Sequence, residues 1–363
     1  MRTVVVKIGT SSVTDARGDV DTSAIAKLCG EVATARAAGH RALIVTSGAI
    51  TAGLPALGLH EPRPTDMATL QAVAAVGQPR LMRVYDDTLA THGLVGGQVL
   101  LAPLDFVHRQ QYLHAKQTLT RLLDLGVVPV INENDAVADD EIRFGDNDRL
   151  AALVAHLVGA DVLLLLTDTA GVFTADPRLD DAASLIEEIV AVDEALIAAA
   201  GGPGSDRGSG GMASKVAAAR IAAHSGVRTV IAAAGRPGVV AAALAGETGV
   251  GTVVAARERT LSARKLWIAF AVRPAGRLTV DDGARRALLE RGTSLLPAGV
   301  VEADGTFASG DAVEVLGPDG TPFAKGLVAH PAAWIRRWKG QRTDALPADS
   351  AHEVIHRDDL VVL

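Results

Sequence analysis

The sequence predicts an α/β protein in two parts: a parallel-sheet α/β/α sandwich, then a small, mostly β barrel. Over roughly the first 255 residues, short Val/Ile/Leu runs alternate with longer helical patterns, the signature of βαβ units. The composition is 48% apolar but only 3% aromatic, so the core must be built from Ala, Val, Leu and Ile, which suits buried parallel strands and small-residue helices. Towards the C-terminus the texture changes, and Gly299, Gly305, Gly310, Gly317 and Gly326 punctuate short β-like runs with little helix between them. A chain of 363 residues also exceeds what a single core usually organises.

Taken in order, strands are expected at Thr3–Ile8, Arg41–Thr46, Gln98–Ala102, Val127–Asn132, Val162–Thr167 and Arg228–Ala233. Helices fill the gaps. The clearest spans Arg109–Leu125, where Tyr112, Ala115, Leu119, Leu122 and Leu123 recur at three- and four-residue spacing. The charged stretch Arg257–Lys265 reads as a linker or boundary helix. The expected organisation is therefore a first domain over 1–256, a linker over 257–272, a β domain over 273–352 and a tail over 353–363. In the β domain the clearest runs are Ala312–Leu316 and Phe323–Val328.

Net charge is −7, from 35 basic and 42 acidic residues, which excludes a nucleic-acid binder held by bulk charge. The single cysteine, Cys29, permits no internal disulfide and falls in a helical apolar pattern as a buried filler. Met1–Ile8 holds only three valines before Lys7, so no signal peptide is visible, and no apolar run approaches the ~18 residues of a membrane span. A cytoplasmic protein is expected.

Several segments carry candidate chemistry. Val4-Val5-Val6-Lys7-Ile8-Gly9-Thr10-Ser11 is a buried-type strand ending in a lysine and a small-residue turn, where an ammonium beside free N–H groups neutralises phosphate oxygens. A strand-end lysine reaching solvent is the plainer alternative. Gly201–Gly211 holds six glycines in eleven residues before Met212-Ala213-Ser214-Lys215 opens a helix, so the backbone can approach a polyphosphate closely. A flexible surface loop is the alternative there. The chain has no Gly-Lys dipeptide and hence no Walker A loop. Its one dinucleotide-type match, Gly208 to Ala213, does not follow a strand.

Two polar clusters follow strands. One is Asn132-Glu133-Asn134-Asp135; the other, Gly145-Asp146-Asn147-Asp148, immediately precedes an expected helix over Arg149–Val158. One such residue serves as an N-cap, but several crowded together point to a cationic ligand that offsets their repulsion. Thr46-Ser47-Gly48-Ala49 ends a strand with a hydroxyl and free N–H groups suited to an anionic substrate group. Thr167-Asp168 does the same, or forms an ordinary Asx turn. The ten histidines show no zinc-type spacing, and no dedicated metal site is expected in the protein itself.

Together these motifs resemble the amino acid kinase family, and within it the glutamate-phosphorylating branch. The residues that carry the likeness are Val6-Lys7-Ile8-Gly9-Thr10-Ser11, Val45-Thr46-Ser47-Gly48-Ala49-Ile50, Ala74-Ala75-Val76-Gly77-Gln78, Val130 to Val137, Gly145 to Asp148, Leu166-Thr167-Asp168 and Gly210 to Lys215, in family order. The C-terminal part, through Ser309-Gly310-Asp311-Ala312-Val313-Glu314-Val315, resembles a PUA domain. One small departure is Ser209, where the family often has threonine; a hydroxyl survives.

The resemblance implies ATP with Mg2+, transfer of the γ-phosphoryl group to the side-chain carboxylate of L-glutamate, and a place at the first step of proline biosynthesis. It implies that Lys7 and Lys215 clamp the phosphoryl group, with Asp148 and Asp168 orienting them. Lys7, Gly9, Thr10, Ser11, Thr167, Asp168, Ser209, Gly210, Gly211, Met212, Ala213, Ser214 and Lys215 would form the nucleotide site. Ser47, Asn134, Asp135, Asp146, Asn147 and Asp148 would form the glutamate site, with Asp135 and Asp148 suited to the α-ammonium and Ser47 and Asn147 to the α-carboxylate. A homo-oligomer, feedback inhibition by proline and hand-off of the acyl phosphate to a reductase are also implied. The alternatives are a kinase for another small acid and an RNA-binding protein acting through the C-terminal module. Residues 274–363 carry 10 basic and 13 acidic side chains, a poor balance for a phosphate backbone. The local basic patch at Arg336, Arg337, Lys339 and Arg342 reads as a solvated helix face.

Overall fold

The computed structural model describes residues 1–15, 19–59, 63–102, 105–106, 108–137, 147–200, 211–258, 260–342, 345 and 352–363. The chain divides into two compact units, Met1–Thr260 and Leu261–Leu363. In the first, strands β1 (Thr3–Lys7), β2 (Arg41–Val45), β3 (Gly96–Leu101), β4 (Val128–Glu133), β5 (Val162–Thr167), β6 (Glu188–Ile189), β7 (Arg228–Ala233) and β8 (Thr252–Val254) form one sheet. Among the described residues its order is β3-β4-β2-β1-β5-β7-β8-β6. The central strands are apolar on both faces because helices cover both; Val4, Val5 and Val6 are fully buried, as are Leu163, Leu164 and Leu165. β1 runs parallel to β2 on one side and to β5 on the other, with Val4 opposite both Ala42 and Val162.

Between the strands lie α1 (Thr10–Val13), α2 (Thr22–Ala37), α3 (Ala49–Leu57), α4 (Met67–Thr91), α5 (Arg109–Asp124), α6 (Asn147–Val158), α7 (Glu194–Ala199), α8 (Met212–His224) and α9 (Val239–Ala245). Local chemistry sets their starts: Asp21 caps α2 through the Ser23 and Ala24 N–H groups, and Asp66 caps α4 through that of Thr69. Helices α3 and α4 meet backbone to backbone. An added Cβ on Gly77 would fall 1.8 Å from the Ala49 carbonyl oxygen, and one on Gly53 2.1 Å from that of Val73. Cys29 is buried on α2, and burial pushes its thiol up to about 12.

Three features depart from the sequence reading. The sheet is not wholly parallel, because β8 returns antiparallel to β7 and carries β6 at the edge. These two strands have three and two residues, too short for a period-two pattern to register. Helix α6 begins at Asn147, two residues before the expected Arg149, so Asn147 and Asp148 form its first turn.

The third departure is in the second unit. The expected tail is structured there, and the boundary region, read as a linker or boundary helix, holds α10 (Ala263–Leu266) and a π-helical turn Trp267–Ala271 before the sheet. Ile268 is fully buried and clusters with Val361. The sheet of this unit comprises β9 (Gly276–Val280), β10 (Val300–Gly305), β11 (Ala312–Leu316), β12 (Pro322–Leu327) and β13 (Leu360–Val362), in the order β10-β9-β11-β12-β13. Helix α11 (Asp282–Arg291) follows β9. Strand β13 comes from the expected tail and pairs with β12; Val354 and Ile355 before it are fully buried among Leu278, Val313 and Val315. Buried Lys325 donates to the Ala269 and Val272 carbonyls, which satisfies an ammonium inside this small core. On α12 (Ala332–Trp338), Arg336 donates to the carbonyls of Ala303 and Gly305, while the Arg337 guanidinium lies 5.3 Å from the Trp338 ring centroid.

Candidate active site

Of the parallel strands whose carboxyl ends share one side of the first sheet, four carry the site: β1 with Lys7, β2 just before Thr46 and Ser47, β4 with Glu133 and β5 with Thr167. The strand order turns back at β1, whose neighbours β2 and β5 belong to successive halves of the fold. Ligands of open α/β sheets bind at such a point, beyond the carboxyl ends of the strands.

Three charged side chains converge there. Lys7 Nζ lies 2.6 Å from Asp148 Oδ1, and Lys215 Nζ lies 3.0 Å from Asp148 Oδ2. Asp148 is fully buried, and the lysines are 3% and 5% exposed. The Ser214 hydroxyl donates to the same Oδ2 at 3.3 Å. Burial alone would raise the Asp148 pKa, but the two ammonium groups outweigh it and hold the carboxyl below its ordinary value. Helices α6 and α8, which carry Asp148 and Lys215, pack on each other. The alanines of α8 (Ala218, Ala219, Ala222 and Ala223 are buried) permit that close contact.

A polar chain lies beside this cluster. Asn147 Nδ2 donates to Ser47 Oγ at 2.9 Å, and Asn147 Oδ1 accepts from the Glu133 N–H at 3.2 Å. Ser47 is held in a turn closed by Gly48, whose φ of +103° places it in the left-handed region that favours glycine. Asn134 and Asp135 follow β4 directly; Asn134 N–H donates to Leu101 O, and Asp135 opens a short 3-10 turn, Asp135–Val137. Gly9 caps α1, and a Cβ there would come 3.6 Å from Lys7 Nζ. Thr10 is half-buried and Ser11 exposed on that turn. Gly211 caps α8, with Met212, Ala213 and Ser214 half-buried in its first turn.

Two expected roles differ from this geometry. Asp168 is exposed and accepts from the Thr167 hydroxyl at 3.0 Å, and among the described residues no ion pair joins it to either lysine. Asp148, expected also to meet an α-ammonium, has each of its oxygens beside a lysine. Ser209, Gly210 and Asp146 lie outside the described residues. The sequence reading assigned no role to Gln78 and read Asn132 only as part of a ligand-facing cluster, whereas Gln78 Oε1 accepts from Asn132 Nδ2 at 2.8 Å and both are buried. For Asn132 the signal was an amide near the end of an all-buried strand; for Gln78, on α4, there was none beyond its place in the likeness.

The amino acid kinase family model matches residues 2–233, and the PUA domain model matches residues 276–348. The chain belongs to the amino acid kinase family. It carries a C-terminal PUA domain as well. Two relatives that align along its whole length are the glutamate 5-kinase of Pelobacter propionicus and that of Mycobacterium avium. The first is 45% identical over 367 residues, covering 100% of this chain and 98% of that protein. The second is also 45% identical, covering 100% and 97%. The amino acid kinase fold is seen too in solved structures of much lower identity. An isopentenyl phosphate kinase superposes with a TM-score of 0.51 at 20% identity, covering 69% of this chain and 99% of its own. Carbamate kinase from Giardia lamblia bound to AMP-PNP superposes with a TM-score of 0.51 at 16% identity, covering 70% and 98%.

Proposed function

We propose that the chain transfers the γ-phosphoryl group of ATP to the side-chain carboxylate of L-glutamate, giving ADP and L-glutamyl 5-phosphate, the first step of proline biosynthesis. The observation that carries this is the meeting of Lys7 and Lys215 on Asp148 beside the Ser47–Asn147 pair, in a chain 45% identical over its full length to glutamate 5-kinases.

In this reaction the acceptor is already ionised at neutral pH, so no strong general base is required. Catalysis is positioning and charge neutralisation. Lys7 and Lys215 receive the charge on the transferring phosphoryl group; a unit charge pair about 4 Å apart at an effective dielectric near 20 interacts by roughly 4 kcal/mol. Asp148 holds both ammonium groups in place without neutralising both. Gly9, Thr10 and Ser11 supply N–H donors to the phosphates, and Thr167, Asp168 and the start of α8 bound the nucleotide. Ser47 and Asn147 receive the α-carboxylate of glutamate, and Asp135, with Asn134 beside it, receives the α-ammonium.

Among the described residues no group of three or more His, Cys, Asp or Glu side chains is arranged to hold a metal ion. In this reading Mg2+ travels with the nucleotide and is held largely by its phosphates. A cytoplasmic location, a homo-oligomer, feedback by proline and hand-off of the acyl phosphate to a reductase belong to the same proposal and rest on the family alone. Among the described residues, no helix is long and apolar enough to cross a membrane.

A hydroxamate assay with ATP and, in turn, L-glutamate, L-aspartate and N-acetylglutamate tests the assignment. Product with glutamate alone is expected. ATP consumption that does not depend on glutamate would overturn it. Lys7→Ala and Lys215→Ala are expected to lower kcat by about 100-fold or more while raising the glutamate KM far less.

A further inference from the structure

Helix α4 braces the Ser47–Asn147 side of the site at three points. Gly77 lies against the Ala49 carbonyl, two residues beyond Ser47. Gln78, the next residue, is buried and accepts from Asn132 Nδ2. Tyr85 is fully buried, with its hydroxyl 2.9 Å from Thr46 Oγ1, the neighbour of Ser47. A separation of seven residues places Gln78 and Tyr85 on one helix face.

From Gln78 the hydrogen bonds run without a break into the pocket. Asn132 Nδ2 is committed to Gln78, so the Asn132 amide presents Oδ1 to the Glu133 N–H at 2.9 Å. The same N–H is shared with Asn147 Oδ1 at 3.2 Å, which leaves Asn147 Nδ2 for Ser47. An amide can satisfy such a chain in only one orientation. We infer that Gln78 is a positioning residue of the acceptor pocket: by fixing the orientation of the Asn132 amide, it sets Asn147 and Ser47 to receive the α-carboxylate of an amino-acid acceptor. This rests on the reading of Ser47 and Asn147 given under Proposed function. Gln78 touches neither substrate; its effect passes through two amides and one backbone N–H.

The test is a kinetic cycle in the full-length enzyme with Gln78→Met, which keeps the side-chain length and removes the acceptor, Asn147→Ala, and the two combined. Gln78→Met is expected to raise the glutamate KM by about five- to tenfold, roughly one hydrogen bond, with ATP KM and kcat nearly unchanged. The double variant is expected to bind glutamate no worse than Asn147→Ala alone, because both act through the same amide. A wild-type glutamate KM in Gln78→Met, or effects that multiply in the double variant, would overturn the inference. So would a parallel loss in both KM values and kcat with a lower Tm, the mark of a packing role only. If Asn147→Ala itself keeps a wild-type glutamate KM, the pocket assignment fails instead, a result distinct from the others.

Discussion

Asp148 carries the most exposed consequences at the level of single residues. It forms ion pairs with two buried ammonium groups at once, and removing one partner of a buried ion pair costs about 3–5 kcal/mol. Asp148→Asn is therefore expected to lose stability of that order in urea titrations and to lose kcat with it. The pH dependence has a definite sign. The folded carboxyl lies below its ordinary value of 3.8, so its stabilisation is present above that pH and is lost as pH falls through the folded value. The urea-midpoint gap between wild type and Asp148→Asn is expected to narrow steadily in acid. Cys29 makes a simpler prediction. Its buried thiol, at about 12, is expected to react with a thiol reagent at pH 8 only when denaturant opens the first unit. Lys7 and Lys215 were each legible in the sequence, one as the end of a valine run and one as the opening of a helix after glycines. Their meeting came only from the family resemblance and not from local pattern, because the carboxylate that joins them is 67 residues from Lys215 and belongs to a cluster that reads equally well as a helix cap.

At the level of elements, the contact of α3 with α4 is the tightest constraint. A methyl group on Gly77 has no room against Ala49 O, so Gly77→Ala must part the two helices. Overpacking of this kind costs roughly 1–3 kcal/mol. Because Ala49 follows Ser47 and Gly48, the same variant is expected to raise the glutamate KM, measured beside the denaturation midpoint. An unchanged KM would show that the helices separate without moving the Ser47 turn. The central strands were legible because continuous apolar runs such as Val4–Val6 and Leu163–Leu165 are buried on both faces and admit few other readings. The edge was not: β6 and β8 are held by long-range contacts, such as the Thr252 hydroxyl donating to Ile186 O at 2.6 Å, that leave no periodic trace. The start of α6 was missed for a related reason. Asn and Asp favour caps in isolation, and here long-range partners draw both into the first helical turn.

For the whole molecule, the described residues of the proposed site all lie in Met1–Thr260, and Leu261–Leu363 has a separate core around Leu278, Val313 and Ile355. A chain ending after Thr260 is expected to keep its glutamate and ATP KM values within about threefold, since each unit buries its own core; a collapse of activity in a folded truncation would contradict this. The strand order has a longer reach. In the proposed reading the acceptor groups follow β2 and β4, the donor groups follow β1, β5 and the start of α8, and Lys7 with Asp148 occupies the seam between them. Such a division is modular. If the proposed roles hold, exchanging side chains on one flank is expected to admit a new small acid while the groups assigned to the triphosphate are left as they stand.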